Sequence, residues 1–331
     1  MSVTFSGAFT FTGGGFTATL APPGGVTAGW FGGGVTNFVP APSNTSLVNR
    51  LTFATDTATA SVRGPLTDGG YQLAATGTTT YGWFGGGYAY PATKYSTVSR
   101  ITYTTDTATA SSRGPLSANK YGVSASTDNT TYGWFAGGSL PGSTSTIDRI
   151  TYATDTATAT ARGPLAIASQ GLGATGTTSY GWFMGLYPGN GTNIQRIDYA
   201  NDSATASSRG QLVTGLYRSV GAVTDGSTYG WLGAGRAAPP VNSISNVQRI
   251  TYATDTGITS TRGPLTAVAY NGGATSDGTT YGWFGMGAAG NPSAKSSIIT
   301  RITFATDTST STDRGFLSAV RYGFAGSSGN Q

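Results

Sequence analysis

Apolar and polar positions alternate along this chain in short runs, and one of these runs recurs throughout. It has the sequence YGWFGGG at residues 81–87, and close copies surround each of the other tryptophans. The six tryptophans of the chain are Trp30, Trp83, Trp134, Trp182, Trp231 and Trp283. Successive tryptophans lie 48 to 53 residues apart. One apolar run in each period of this length predicts a repeat architecture.

Within one period the pattern predicts four strands. In the second repeat we expect them at Tyr71–Thr76, Thr79–Gly85, Val98–Thr105 and Thr107–Arg113. The third run alternates β-branched and aromatic residues, and Asp106 after it is typical of a tight turn. The fourth run alternates small residues and stops at an Arg-Gly-Pro sequence, which favours an outer edge strand. Six such repeats predict an all-β fold, a six-bladed β-propeller of four-stranded antiparallel blades.

The two ends of the chain predict how the ring closes. The segment Tyr322–Ala325 repeats the first-strand pattern, but no second-strand run follows it. The chain opens with the second strand around Trp30, so we expect the C-terminal strand to complete the N-terminal blade of a propeller over residues 26–331. The run Phe16–Leu20 is a rival for the same position. Residues 1–25 lie outside the repeat and are interpreted as an N-terminal arm or hairpin that docks on the ring or on a partner.

The repeat resembles the kelch family. The residues that carry the resemblance are WFGG at 83–86 and RITYTTD at 100–106, an apolar run ending in a glycine pair and a segment with tyrosine and aspartate. Alanine and threonine stand where many kelch repeats have a fourth-strand tryptophan. The resemblance implies a kelch-like propeller over residues 26–326. It implies no particular activity, because propellers host many functions.

The consensus sequence of the repeat, RITYATDTATASxRGPL, is also similar to that of kelch-like virion proteins of marine bacteriophages. This resemblance implies a capsid- or tail-associated propeller located in the virion, with residues 1–25 as an anchor. Expected partners are other virion or surface proteins, reached through residues 1–25, and anionic or neutral glycans.

Length variation predicts where recognition lies. The third-strand and fourth-strand arginines are always 13 residues apart, but the distance from tryptophan to the third-strand arginine ranges from 14 to 20. The loops between the second and third strands therefore vary, and variable loops on a rigid scaffold often carry function. Their aromatic rings could stack on sugars or anchor a protein, or could pack back onto their own blades. The candidate binding residues in these loops are Phe38, Tyr88, Tyr90, Tyr95, Tyr187 and Arg236.

Charge suggests a second candidate surface. Twelve of the fifteen arginines and six of the thirteen aspartates occupy repeat positions. A flat blade would place both arginines of a repeat near the variable loops and its aspartate about 20 Å away, giving an Arg-rich face for anionic partners and an Asp-studded face. The alternative is that the arginines bond neighbouring blades and pack on aromatic rings. The fourth-strand arginines assigned to the candidate binding face are Arg63, Arg113, Arg162, Arg209, Arg262 and Arg314.

The residue types that are missing narrow the chemistry. The chain has no histidine, cysteine or glutamate, so the common catalytic triads and paired-glutamate sites cannot form. We expect no catalytic residue, cofactor or metal site. Nucleic-acid binding is not expected because the three lysines form no basic cluster, and no signal peptide or membrane-inserting segment is evident. The sequence favours a non-enzymatic structural or adhesive module. The alternatives are a lectin-like propeller and, against the missing residue types, a polysaccharide-degrading enzyme.

Overall fold

The computed structural model describes residues 26–36, 43–189, 191–219, 221–237, 242–289 and 294–329. These residues form six antiparallel sheets arranged around an axis, five with four strands and one with five. The described residues contain no α-helix. The predicted fold class, an all-β six-bladed propeller, is confirmed.

The blades are numbered 1 to 6 by their tryptophans, from Trp30 to Trp283. From the axis outward, blade 1 contains Ala325–Ser327, Ala28–Gly32, Val48–Thr52 and Ser61–Arg63. Blade 2 contains Ala74–Gly77, Tyr81–Gly85, Val98–Thr102 and Ser111–Arg113. Blade 3 contains Ser124–Thr127, Tyr132–Ala136, Ile147–Thr151 and Thr160–Arg162. Blade 4 contains Gly173–Gly176, Tyr180–Met184, Asn193–Asp198 and Ser207–Gln211.

Blade 5 contains Gly221–Thr224, Tyr229–Ala237, Ser243–Thr251 and Ser260–Arg262, with Leu216–Tyr217 as its fifth strand. Blade 6 contains Gly273–Ser276, Tyr281–Gly285, Ile298–Thr303 and Thr312–Phe316. Two small hairpins in the loops pair Tyr88–Ala89 with Thr93–Lys94 and Ala288–Ala289 with Ala294–Lys295. A short 3-10 turn follows each third strand, at Phe53–Thr55, Tyr103–Thr105, Tyr152–Thr154, Tyr199–Asn201, Tyr252–Thr254 and Phe304–Thr306.

The predicted strands of the second repeat were too long at four ends, one of which is the start of the second strand at Tyr81 rather than Thr79. The first strand begins at Ala74 rather than Tyr71, and the third gives way to a 3-10 turn at Tyr103. The fourth strand begins only at Ser111, because the Ala110 N–H donates to the Pro65 carbonyl of blade 1 at 2.8 Å instead of to its own blade. The alternation of small residues before Ser111 therefore marks a contact between blades.

The ring closes as predicted. Ala325–Ser327 pairs antiparallel with Ala28–Gly32, with Trp30 opposite Ser327. The fully buried Arg321 secures this closure, because its Nη1 donates to the carbonyls of Gly33 at 2.8 Å and Leu47 at 2.6 Å. The rival run at 16–20 and the predicted arm at 1–25 lie outside the described residues, and the division into arm and propeller stays a prediction.

Each second strand serves two interfaces between blades. Trp83 stacks on Tyr152 of blade 3, with ring centroids 4.1 Å apart. Phe84 points to the opposite side and lies against Gly32 of blade 1, where a Cβ atom would come within 2.8 Å of its ring. The alternation of the strand thus places tryptophan and phenylalanine on opposite sides, as expected.

The Arg-Gly-Pro sequence joins the outer strands of neighbouring blades. The Gly114 N–H donates to the Asp155 carbonyl at 2.8 Å, and the Ala159 N–H donates to the Pro115 carbonyl at 2.8 Å. A Cβ atom on Gly114 would lie 1.8 Å from the Ala157 carbonyl oxygen. The equivalent glycines are equally close to a turn carbonyl, so the close approach of backbones requires glycine at this position in every repeat.

We expect Gly114→Ala to lower the free energy of unfolding by about 3 kcal/mol, because the new methyl group would force two backbones apart. Urea denaturation followed by tryptophan fluorescence would measure this change. Gly142→Ala is the matched control, since no heavy atom lies within 4 Å of the added methyl group. Equal losses of stability in the two variants would contradict the assigned contact.

Candidate functional site

The repeat arginines and aspartates meet at the junctions between blades. Asp155 of blade 3 accepts a hydrogen bond from the Trp83 indole of blade 2 at 2.8 Å. The same carboxylate lies 3.0 Å from Arg100 Nη1 and 3.5 Å from Arg113 Nε. The same arrangement surrounds Asp106, Asp202, Asp255, Asp307 and Asp56. Two arginines and one indole of each blade therefore bind one carboxylate of the next.

The predicted separation of an Arg-rich face from an Asp-studded face is wrong. The expectation placed the charges at opposite ends of one blade, but each aspartate is reached by arginines of the preceding blade. The six aspartates are only 3 to 7% exposed. The fourth-strand arginines predicted for the binding face all lie in these ion pairs, and ligand binding by them stays a prediction: Arg63, Arg113, Arg162, Arg209, Arg262 and Arg314.

The third-strand arginines also pack on aromatic rings. Arg149 lies over the Tyr132 ring of its own blade, with 4.2 Å between its guanidinium carbon and the ring centroid. Blades 2, 4, 5 and 6 have the same pairing. This geometry supports the structural interpretation of the arginines, although the rings belong to their own blade and their partners in the next blade are carboxylates.

The Asp255 carboxyl shows the electrostatic consequence of a junction. Burial raises the pKa of Asp255, but hydrogen bonds from Arg209 and Trp182 and the charges of Arg196 and Arg209 outweigh it. The pKa of this carboxyl therefore lies below its usual range. A depressed pKa means that the junction contributes stability above the pKa of the unfolded chain, about 3.9, and loses it as pH falls further.

The two ends of the blades form different faces. The loop face carries the loops between second and third strands and the links between blades, for example residues 86–97 and 114–123. The turn face carries the other turns, for example residues 77–80 and 103–107. On the loop face, Tyr90 is 48% exposed and Tyr187 is 39% exposed. Tyr88 and Tyr95 are half-buried, and the predicted Phe38 lies outside the described residues.

Neighbouring loops are bonded to one another. Asn44 of blade 1 donates to the Tyr90 carbonyl of blade 2 at 3.1 Å, and Ser143 of blade 3 donates to the Tyr187 carbonyl of blade 4 at 2.9 Å. Lys94 donates to the Leu140 carbonyl in the next loop. The exposed tyrosines are therefore held on a connected surface and not on independent loops.

A closed ring of backbone hydrogen bonds surrounds the axis at the loop face. In each blade, a residue two or three positions before the first strand has a left-handed φ between 51° and 73°. Its N–H donates to the carbonyl of the equivalent residue in the preceding blade, at 2.5 to 3.1 Å. These six residues, called the backbone ring, are Gln72, Gly122, Gly171, Arg218, Asn271 and Gly323. They form the mouth of a central channel with a cavity of about 110 Å³.

Tyrosines surround the channel mouth. The residue before the backbone-ring position is tyrosine in five of the six blades: Tyr71, Tyr121, Tyr217, Tyr270 and Tyr322. The rings of Tyr71 and Tyr322 lie 5.8 Å apart, and Arg236 lies 4.2 Å over the ring of Tyr270. Two of these tyrosines, Tyr71 and Tyr322, were predicted only as the first residues of strands. Their constant position before the first strand of five blades is the sequence feature that predicts a ring of tyrosines around the axis.

The two faces carry different charges, but the repeat arginines and aspartates are not the cause. The loop face has four basic side chains and two carboxylates, which are Lys94, Arg218, Arg236, Lys295, Asp68 and Asp313. The turn face has four carboxylates outside the junctions, which are Asp128, Asp198, Asp225 and Asp277. Residues outside the repeat positions therefore create a basic loop face.

Fold and surface together define a six-bladed β-propeller with ion-paired junctions and one connected loop face, a scaffold that fits a binding or structural module. Comparison with protein-family models and with curated proteins found no match. Among the described residues, no group of three or more acidic, histidine or cysteine side chains is placed to hold a metal ion. The described residues also include no helix of the length and apolar character that crossing a membrane requires.

We expect Asp255→Asn to destabilise the protein by about 2–3 kcal/mol at neutral pH, because it removes both ion pairs of one junction. The difference from wild type should begin to shrink below about pH 4, where the carboxyl of the unfolded chain takes up a proton, and should vanish only below the depressed pKa of the native carboxyl. Denaturation curves at pH 3 to 8 would measure it. The exposed Asp313→Asn is the control and should change little. A difference that does not depend on pH would contradict the assigned ion pairs.

A second variant separates a structural from a binding role of the repeat arginines. Replacing Arg113 and Arg162 together by glutamine should cost about 1–3 kcal/mol at each junction. Arg218→Gln with Arg236→Gln removes the same charge but no carboxylate pair, and should leave stability within about 0.5 kcal/mol. Thermal unfolding of both double variants is the measurement. Full stability of the first double variant would refute the structural role.

Proposed function

We propose that this chain is a non-enzymatic structural or adhesive module of a phage virion, associated with the capsid or tail. In this proposal residues 1–25 attach the propeller to the particle, and the loop face points outward to contact a host surface or another protein. The resemblance of the repeat sequence to kelch-like virion proteins supports the virion assignment. The position of the chain entry supports the orientation.

The chain enters and leaves the propeller on the turn face. The Thr27 carbonyl accepts a hydrogen bond from the Phe53 N–H at 2.9 Å, beside the 3-10 turn of blade 1. At the other end, Gly329 lies against Thr79 in a turn of blade 2. A segment that precedes Val26 therefore begins opposite the variable loops. Attachment through it would leave the loop face accessible, and this is the observation that carries the proposal.

The positions of the carboxylates favour a non-enzymatic role. Six of the thirteen aspartates lie in the junctions, and Asp148 forms a buried ion pair with Lys120 at 3.0 Å. Asp128, Asp225 and Asp277 accept backbone hydrogen bonds in turns. Glycoside hydrolysis commonly needs two carboxyl groups facing one another across a substrate. On the loop face, the exposed or half-buried carboxylates of the described residues are Asp68 and Asp313, which lie in different blades.

A lectin-like role is the second candidate. Tyr90 and Tyr187 present exposed rings on the loop face, and tyrosine rings provide flat apolar surfaces against which sugar rings pack. This role is compatible with a virion protein, since adhesion to a glycan would be one way to contact a host.

The test follows incorporation and attachment separately in the virus that encodes the chain. We expect antibodies to detect the full chain in purified virions, and a chain lacking residues 1–25 to be folded but absent from them. Tyr90→Ala with Tyr187→Ala should enter virions normally and attach less well to host cells. Absence of the full chain from virions would overturn the virion assignment. Release of reducing ends from a polysaccharide by the purified protein would overturn the non-enzymatic one.

A further inference from the structure

Arg218 differs from the other fourteen arginines because, within the described part of the chain, no side chain forms an ion pair or a ring contact with its guanidinium. Twelve arginines bind carboxylates at the junctions, Arg321 is fully buried against carbonyls, and Arg236 lies over Tyr270. All thirteen acidic side chains lie in the described residues, and none of them forms an ion pair with Arg218. A half-buried guanidinium without a counter-charge can bind an anion from solution.

The surroundings of Arg218 form a recess. Arg218 belongs to the backbone ring, next to Asn271 and across the axis from Gln72. The other three ring positions are glycines, which leave space between these polar side chains. Of the residues that line the cavity of about 110 Å³ behind the mouth, Arg218 is the one that carries a charge.

The charge of Arg218 acts across the mouth. Burial raises the pKa of Tyr71, and the neighbouring Tyr88 and Tyr121 raise it further, while Arg218 lowers it. Burial likewise raises the pKa of Tyr322, and Arg218 again opposes it. These tyrosines belong to blades 2 and 1, whereas Arg218 belongs to blade 5. The guanidinium therefore influences the opposite side of the opening.

The chemistry of the mouth favours an acidic sugar over a peptide. The backbone N–H groups of the ring are used in the closed ring of hydrogen bonds, so an extended peptide finds no backbone donors there. Recognition must come from side chains. A guanidinium matches a carboxylate in geometry, the amides of Gln72 and Asn271 can pair with hydroxyl groups, and tyrosine rings suit the apolar face of a sugar.

We propose that the channel mouth binds the carboxylate of a uronic-acid residue in an acidic polysaccharide, with Arg218 as the anchoring side chain. The cavity accommodates the carboxylate end of one sugar, and the rest of the chain would lie across the half-buried Tyr71 and Tyr121 and the loop face. The excess of basic side chains on the loop face, set against four carboxylates on the turn face, steers an anionic chain toward this end. The biological use of the site rests on the adhesive part of the proposed function, but binding itself does not.

Calorimetric titration of the purified full chain with oligogalacturonate tests the site. The expected result is binding that weakens at least about tenfold in Arg218→Gly, the loss of one charge-assisted contact. Glycine occupies the equivalent position in three other blades, so this variant should fold normally. Arg218→Lys should bind with intermediate strength because it keeps the charge without the planar fork.

Three results would overturn the proposal. They are no binding of oligogalacturonate at millimolar concentration, equal binding of its methyl ester, and unchanged binding by Arg218→Gly. If oligoglutamate binds as tightly and its binding depends equally on Arg218, the ligand of the site is an acidic peptide and not an acidic sugar. Because titration uses the isolated chain, a protein absent from virions could still bind oligogalacturonate, and the two proposals fail separately.

Discussion

The ring depends on a buried carboxylate shared between blades. Each junction aspartate accepts an indole hydrogen bond at 2.7 to 2.8 Å and lies beside two arginines of the preceding blade. Burying a carboxylate is unfavourable unless it is paired and hydrogen-bonded, and here three donors satisfy it. Since each junction holds two cations and one anion, the basic balance of the chain resides between the blades. The outer faces are therefore free to take their charge from residues outside the repeat.

A second set of contacts distinguishes the junctions from one another. The residue before each third-strand arginine is buried, and five residue types occur there across the six blades: Asn49, Ser99, Asp148, Gln195, Gln248 and Thr300. Each has a matched partner, such as Lys120 for Asp148 and Arg321 for Asn49. The contacts that all six junctions share set the spacing of the blades, but they would form equally well with the blades in any order. A misplaced blade would bury a charge or an amide without its partner, so these contacts favour one arrangement.

Features that repeat within one blade could be predicted from the sequence, whereas those that arise between blades could not. The alternation of Trp83 and Phe84 predicts a strand packed on both sides, and the spacing of the tryptophans predicts six blades. The pairing of Arg100 with Asp155 could not be predicted because the two residues belong to different repeats. Each arginine of a repeat pairs with the aspartate of the next repeat, so these pairs form only when the ring brings neighbouring blades together. The backbone ring also needs all six blades before its members meet.

Arg218 is informative because its backbone conformation does not favour it. A left-handed φ costs a residue other than glycine about 1 kcal/mol or more, and asparagine least. Glycine fills the backbone ring at Gly122, Gly171 and Gly323, so the fold itself makes no demand for a side chain there. Arg218 has a φ of 53° and no carboxylate partner, so its strained backbone is not offset by an ion pair. Strained residues that lack a packing role tend to mark functional sites. The channel mouth, more than the regular arginines of the junctions, is thus where the chain departs from what its own symmetry requires.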